Sequence, residues 1–145
     1  MDLDSLYQDV ILDHYKNPHH KGEPSGEFKV HHVNPSCGDE ITLSVTLTAG
    51  QVSDVTWNGV GCSISQASAS IMSDLVVGRT SQDAFAILDE FTSLMQSKGT
   101  LVGNEEVLED AIALSGVSKF PARVKCALLG WMAFKDAAIQ NGAKA

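Results

Sequence analysis

Residues 41–57 read ITLSVTLTAGQVSDVTW, and this stretch decides the fold class of the chain. Over residues 41–48, apolar side chains alternate strictly with threonine and serine, which is the period of a β-strand with one buried face. Ala49-Gly50 then suits a tight turn, and a second apolar run begins at Val52. Residues 28–33 give a further strand signal upstream. The short links between these runs predict an antiparallel meander of three strands.

Helical spacing of apolar residues marks most of the remaining chain. Capping residues, glycine or proline bound these segments. The predicted helices cover residues 4–16, residues 62–77, residues 80–96, a short segment after Asn104, and a final segment from Ser118 or Lys119 to about residue 140. Because the strands are followed by a run of helices, we expect an α+β fold, with a small antiparallel three-stranded sheet covered by helices.

Length and composition narrow the class of protein. With 145 residues, of which 43% are hydrophobic, one globular domain spanning residues 1–145 is expected. The 10 basic and 18 acidic residues give a net charge of -8, which argues against nucleic-acid binding because phosphates need a basic face. No run approaches the ~18 apolar residues of a membrane span, and the start, MDLDSLYQDV, does not resemble a signal peptide. We therefore expect a cytoplasmic protein with reduced thiols.

Three cysteines, Cys37, Cys62 and Cys126, form the main candidate site together with Asp39. An odd number of cysteines cannot all pair in internal disulfides. Three thiolates and one carboxylate would fill a four-coordinate site for a thiophilic metal such as Zn²⁺. Because these residues are far apart in the sequence, the tertiary fold has to bring them together.

The local sequence gives each cysteine a different setting. Cys37 lies in a turn between the first two predicted strands, where Gly38 permits a bend. Cys62 opens a predicted helix, whose amide end stabilises a thiolate. Cys126 lies on a side of the final helix lined by small residues, which allow another element to approach its sulfur. Arg123, one turn upstream, is placed to steady a thiolate.

Each of these assignments has an alternative. A free cysteine is often just a small buried apolar residue, and Arg123 would also suit a surface charge. Asp39 would also suit a turn carboxylate that bonds its own backbone. All five histidines precede Cys37, so the usual zinc ligand is missing near the other two cysteines. His31 or His32 is an alternative fourth ligand from the first strand, but Asp39 is the better candidate.

Four segments resemble the U-type iron–sulfur cluster assembly proteins, a family with an IscU-like scaffold branch and a SufU-like branch. They are LYQDVILDHYKNP at 6–18, NPSCGD at 34–39, GVGCSISQASAS at 59–70 and RVKC at 123–126. The resemblance runs over nearly the whole chain, and it implies an IscU-like fold.

Departures from the scaffold pattern favour the SufU-like branch. Scaffold proteins carry a histidine immediately before the last cysteine, where this chain has Lys125. They also carry the chaperone-recognition sequence LPPVK there, whereas residues 120–125 of this chain read FPARVK. The 63 residues between Cys62 and Cys126 are more than scaffolds have. These differences argue against a role in the de novo assembly of iron–sulfur clusters.

The SufU-like resemblance implies a zinc-dependent sulfurtransferase of the iron–sulfur assembly machinery. Such a protein accepts persulfide sulfur from a SufS-like, pyridoxal-phosphate-dependent cysteine desulfurase and stimulates it. The implied zinc ligands are Cys37, Asp39, Cys62 and Cys126, with Cys37 as the sulfur acceptor. Arg123 would steady the freed thiolate or contact the partner. The alternatives are a scaffold on which iron–sulfur clusters are assembled and a structural zinc adaptor.

Overall fold

The sheet is an antiparallel meander, as predicted. The computed structural model describes residues 3–24 and 29–143, with the side chains of the first helix described from residue 5 onward. The strands β1 (Lys29–Asn34), β2 (Asp39–Thr48) and β3 (Gln51–Val60) pair in the order β1-β2-β3. Phe28, the predicted first residue of the first strand, lies outside the described residues.

The turn between β2 and β3 has the length that the sequence predicts. Thr48 pairs with Gln51, so only Ala49 and Gly50 connect the two strands. Both turn residues have positive φ, 52° for Ala49 and 80° for Gly50, which is the conformation that a two-residue type I′ hairpin turn needs. The buried apolar residues of β2 and β3 form one face of the sheet, across a register shift between Thr46 and Leu47, and this face is part of the core.

Helices cover the apolar face of this sheet and confirm the α+β class. Their bounds are α1 (Leu3–Lys16), α2 (Ser63–Val76), α3 (Ser81–Met95), α4 (Glu105–Leu108), a 3₁₀ segment (Glu109–Lys119) and α5 (Pro121–Gln140). Helix α5 packs on β1 and β2, while α2 lies beside α5 and also packs against α1. Within the described ranges, no helix combines the length and the apolar character that crossing a membrane requires.

The boundary before the last helix differs from the prediction. Helix α5 begins at Pro121 and not at Ser118 or Lys119, because 11 residues before it form the 3₁₀ segment. Runs of 3₁₀ helix rarely exceed a few residues, so this length was not expected. Proline lacks an N–H group, and it therefore suits the first position of a helix. The short helix after Asn104 is confirmed, and the Asn104 side chain accepts a hydrogen bond from the Glu106 amide at 3.1 Å.

Small side chains allow α2 and α5 to pack closely. A Cβ atom added at Gly130 of α5 would lie 3.1 Å from the Cβ of Ala69 on α2. Nearby, the Ser68 hydroxyl donates to the Ala127 carbonyl at 2.6 Å. The predicted close approach to the Cys126 side of the last helix is therefore confirmed. This contact fixes the distance between the two helices that carry Cys62 and Cys126.

Candidate metal centre

The turn between β1 and β2 presents one partly exposed sulfur and one buried carboxylate. Residues 35–38 form the turn, and Gly38 adopts a φ of 69°, which glycine tolerates without strain. The Cys37 amide donates to the Asn34 carbonyl at 3.2 Å, and the residue is half-buried. Asp39 begins β2 opposite Asn34 and is only 1% exposed.

Cys62 is the N-cap residue of α2, as its sequence context predicted. Its backbone amide donates to Asp39 Oδ1 at 2.9 Å, which joins the start of α2 to the start of β2. Gly61 makes this contact possible. A Cβ atom at position 61 would lie 2.3 Å from Asp39 Oδ1 and 2.5 Å from Ser65 Oγ, so any side chain would displace the carboxylate.

Cys126 brings α5 into the same place. The residue is completely buried, and its sulfur lies 3.1 Å from the sulfur of Cys37. The Asn34 side chain donates its Nδ2 hydrogen toward the Cys126 sulfur at 3.8 Å. Cys37, Asp39 and Cys126 each offer one ligand atom, and these three atoms lie within 4.8 Å of one another. The fold thus gathers three of the four predicted ligands at one point.

The fourth predicted ligand, Cys62, stands outside this group of three atoms but close to it. Its sulfur is near enough that its charge helps to raise the pKa of the Cys126 thiol. Burial is the largest cause of that raised pKa, followed by hydrogen bonding to Asp39 and then to Cys37. Without a bound cation, Cys126 is therefore a neutral thiol at physiological pH.

Asp39 carries the unsatisfied atom of the site. By hydrogen-bond geometry its buried Oδ2 has no partner among the described residues, although the carboxylate is close enough to raise the pKa of Cys126. A buried carboxylate oxygen without a partner is unfavourable. A bound cation would satisfy this oxygen and neutralise the carboxylate.

The donor set fits Zn²⁺. Thiolate sulfur and carboxylate oxygen are common zinc ligands, and structural zinc sites are four-coordinate. In a tetrahedron with Zn–S bonds of about 2.3 Å, two sulfurs lie about 3.8 Å apart. The sulfurs of Cys37 and Cys126, now 3.1 Å apart, would have to separate by roughly 0.7 Å, a shift that the turn carrying Cys37 can supply.

A groove of about 880 Å³ opens beside Cys62 and Arg123 and runs across α1 and the 3₁₀ segment. Apolar side chains such as Leu101 and Phe120 form part of its wall. Its lining includes two basic residues, Lys119 and Arg123, and no acidic residue among those described. Arg123 is exposed, and within the described residues no hydrogen bond or ion pair holds its guanidinium group.

Neither histidine of β1 joins the site. His32 bonds to Asp136 of α5 at 2.9 Å, and His31 is exposed on the sheet. Asn34 was missed from the sequence, whereas the close approach that Gly61 permits was expected from the two glycines before Cys62. The pattern Gly-Val-Gly just before Cys62 carried a signal for Gly61, because paired glycines indicate a close approach of backbone or side chains. Asn34 had no signal beyond its place in the same turn motif.

A family model described as the NifU-like N terminal domain matches residues 6–127 of this sequence. The chain belongs to this family. The expected membership of the U-type iron–sulfur cluster assembly proteins is therefore confirmed. The match includes every predicted site residue from Cys37 to Cys126.

Named relatives carry two different functional descriptions. The chain is 45% identical to the zinc-dependent sulfurtransferase SufU of Bacillus subtilis, over 92% of this chain and 89% of that protein. It is 42% identical to the iron–sulfur cluster assembly scaffold protein IscU of Streptococcus pyogenes, over 93% of this chain and 84% of that one. A crystal structure described as a hypothetical protein shares the fold with a TM-score of 0.84 and 40% identity, over 92% of this chain and 97% of that one.

Proposed function

We propose that this chain is a zinc-dependent sulfur acceptor that takes persulfide sulfur from a SufS-like cysteine desulfurase and stimulates it during iron–sulfur cluster biogenesis. The observation that supports this most strongly is the buried Asp39 carboxylate, which has one oxygen without a hydrogen-bond partner among the described residues and offers a ligand atom within 4.8 Å of those of Cys37 and Cys126. Asp39 supplies the fourth donor that three cysteines need for tetrahedral zinc. Lys125, which precedes the last cysteine, is exposed and offers no further ligand to the site.

Zinc bound by Cys37, Asp39, Cys62 and Cys126 would supply a positive charge that keeps the thiols deprotonated at neutral pH. Such a charge would offset the burial of Cys126, which raises the pKa of its thiol and favours the neutral form. Asp39 also accepts a hydrogen bond from the backbone amide of Cys62. The carboxylate therefore orients the start of α2 while it faces the sulfurs.

Cys37 is the proposed acceptor of sulfur. Its thiolate attacks the terminal sulfur of the desulfurase persulfide, so a new S–S bond forms on Cys37 while the S–S bond of the donor breaks. The bonding electron pair leaves with the donor cysteine as a thiolate, so the step needs no external oxidant or reductant. Cys37 is half-buried on a turn, whereas Cys126 is fully buried in α5. Movement of the turn exposes Cys37 without unfolding a helix.

Arg123 is the proposed contact for charge that develops during the transfer. Its guanidinium is exposed, has no hydrogen-bond or ion-pair partner among the described residues, and lines the groove that also reaches Cys62. A cation in this position would steady a thiolate or receive an acidic group of the docked desulfurase. Lys119 adds a second positive charge to the same groove.

Assembly of an iron–sulfur cluster on the three cysteines is the second candidate function. The scaffold description of the relative from Streptococcus pyogenes favours it. Two measurements separate the transferase from the scaffold. The first is metal analysis and visible absorption of anaerobically purified protein, and the second is desulfurase turnover with and without this chain. Colourless zinc protein that accelerates turnover supports the transferase. Colour with iron and sulfide supports the scaffold, and zinc without acceleration supports a structural adaptor.

Single-turnover transfer of labelled sulfur tests the acceptor itself. Cys37→Ala is expected to accept no label, whereas Cys62→Ala is expected to accept label at a reduced rate. Because Cys62 also borders the groove, the comparison between these two variants is the informative one. Wild-type transfer by Cys37→Ala would show that the acceptor is a different cysteine.

A further inference from the structure

A second group of metal-binding side chains lies at the other end of α2. His14 is in the last turn of α1, His19 and His20 follow in the loop after that helix, and Asp74 is near the end of α2. Asp74 lies 12 residues beyond Cys62, which corresponds to about 18 Å along the helix. This histidine cluster is therefore separate from the cysteine site.

The Asp74 carboxylate lies between two imidazoles. Its Oδ2 contacts His19 Nδ1, and its Oδ1 lies 3.2 Å from His20 Nε2. The rings of His14 and His19 have centroids 4.7 Å apart, and His14, His19 and Asp74 offer ligand atoms within 4.8 Å of one another. In a tetrahedral site with bonds of about 2.0–2.1 Å, ligand atoms lie about 3.4 Å apart. The ligand atoms of His14, His19 and Asp74 would have to draw together by up to about 1.4 Å to enclose an ion, and His20, which lies outside this group of three, adjoins it through Asp74.

His14 is held in the form that a metal needs. Its Nδ1 lies 2.7 Å from Ser70 Oγ, and the same hydroxyl oxygen accepts a hydrogen bond from the His19 amide at 2.7 Å. The hydroxyl can then donate its own proton to the lone pair of Nδ1, with the ring proton on Nε2, and an ion bound at Nδ1 would take the place of this hydrogen bond. Nε2 lies 3.3 Å from Asp110 Oδ2. A carboxylate on the far nitrogen is the usual support of a metal-binding histidine.

The loop that carries the other two histidines is fixed to the sheet. The Trp57 indole donates to the His19 carbonyl at 2.9 Å, and the Trp57 amide donates to the His20 carbonyl at 3.2 Å. Trp57 itself is completely buried in β3. Ligands on a fixed loop lose little conformational entropy when an ion binds.

We propose that His14, His19, His20 and Asp74 form a second metal site, which binds one Zn²⁺ ion or a similar divalent ion such as Ni²⁺ or Co²⁺. Three imidazoles and a carboxylate suit these metals, whereas Mg²⁺ and Ca²⁺ prefer oxygen ligands alone. The absence of sulfur distinguishes the site chemically from the cysteine cluster. The bound ion joins the end of α1 and the loop that follows it to α2.

To test this, untagged protein that carries one equivalent of Zn²⁺ is titrated with Co²⁺, and binding is monitored by calorimetry and visible absorption. We expect one further equivalent to bind with weak d–d bands and without the near-ultraviolet band of cobalt–thiolate bonds, which would instead report exchange at the cysteines. The double variant H19A/H20A should lose this second equivalent. Asp74→Asn, which keeps the side-chain volume, should weaken it by about tenfold or more.

His31→Ala is the matched control, because His31 is exposed on β1 and outside the cluster. This variant should bind the second equivalent like the wild type, and all variants should keep the first zinc. The proposal is wrong if zinc-loaded wild type takes up no second ion, or if H19A/H20A binds it with unchanged affinity. If the double variant loses both ions and its circular dichroism signal, Asp74→Asn decides, and unchanged affinity in that variant overturns the proposal.

Discussion

The two ends of α2 carry different chemistry on one helix. At its start, Asp39 and Cys126 are buried, and the ligand atoms come from β2, α5 and a turn between strands. At its end, Asp74 and His19 are partly exposed, with 41% and 44% of their side chains accessible. The first site offers sulfur and the second offers nitrogen and oxygen.

This difference teaches that the two sites depend on the fold to different degrees. The cysteine site exists only when β2, α2 and α5 have packed together, because its members are brought close by tertiary contacts alone. The histidine cluster takes three members from a short stretch of chain, His14 to His20, and needs only α2 beside them. Perturbing the core should therefore affect the cysteine site more than the histidine cluster.

The largest expected effect is a loss of zinc affinity when the Asp39 carboxylate is removed, with the Asp74 carboxylate as the comparison. Asp39→Asn keeps the shape of the side chain and an acceptor for the Cys62 amide, but it removes the negative charge that faces the sulfurs. We expect zinc affinity at the cysteine site to fall by about 100-fold or more, measured by competition with a chelator. Asp74→Asn is the control and should leave this affinity unchanged. Equal zinc affinity in Asp39→Asn and wild type would remove Asp39 from the ligand set.

The second prediction concerns the space beside Asp39. Gly61→Ala places a methyl group 2.3 Å from Asp39 Oδ1, so we expect a loss of about 2–3 kcal/mol in the free energy of unfolding together with weaker zinc binding. Gly116→Ala meets open space and should change stability by less than about 0.5 kcal/mol. Urea unfolding of the two variants checks both values. Wild-type stability and zinc binding in Gly61→Ala would mean that the Asp39 carboxylate has room to move.

The third prediction tests the histidine end. Ser70→Ala removes the buried hydroxyl that bonds His14 Nδ1 and accepts from the His19 amide. We expect a cost of about 1–3 kcal/mol, since two buried polar groups lose their partner, while sulfur transfer keeps its rate. Ser93→Ala, on the exposed side of α3, is the matched control. A fall in sulfur transfer without a fall in stability would show that the two ends of α2 are coupled.

The smallest expected effect belongs to a histidine–aspartate pair outside both sites, His32 and Asp136. The hydrogen bond from His32 is the main cause that lowers the pKa of Asp136 below its ordinary 3.8. Because the folded-state pKa is lowered, the pair stabilises the fold above about pH 4 and loses this contribution as pH falls through the folded-state value.

The pair is partly exposed and screened by water, so Asp136→Asn should cost only a few tenths of a kcal/mol at pH 7 and less than that at pH 2. Urea unfolding at both pH values measures this difference. Metal stoichiometry should not change in this variant. A lost ion would show that one histidine–aspartate pair alone is enough to bind metal in this fold.

Much of the fold followed from the sequence, because strict alternation and paired turn residues are local signals, whereas the grouping of the cysteines was inferred from their odd number and from the family resemblance. The 3₁₀ segment could not be predicted, since it depends on packing. Helix α4 ends at Leu108, and the next residue, Glu109, has a φ of 46°, a conformation that glycine or asparagine would have indicated but glutamate did not. The histidine cluster was also missed. His14, His19 and His20 were visible, but their common partner Asp74 lies on another helix and gains meaning only when α1 packs against α2.

The two oxygens of Asp39 have separate duties, and this separation has a practical use. Oδ1 accepts from the Cys62 amide, while the buried Oδ2 has no hydrogen-bond partner among the described residues. Any ion drawn to Oδ2 withdraws electron density from Oδ1 and alters the hydrogen bond of that amide. The amide resonance of Cys62 in a nitrogen–proton correlation spectrum should therefore report metal loading of the cysteine site without an attached probe.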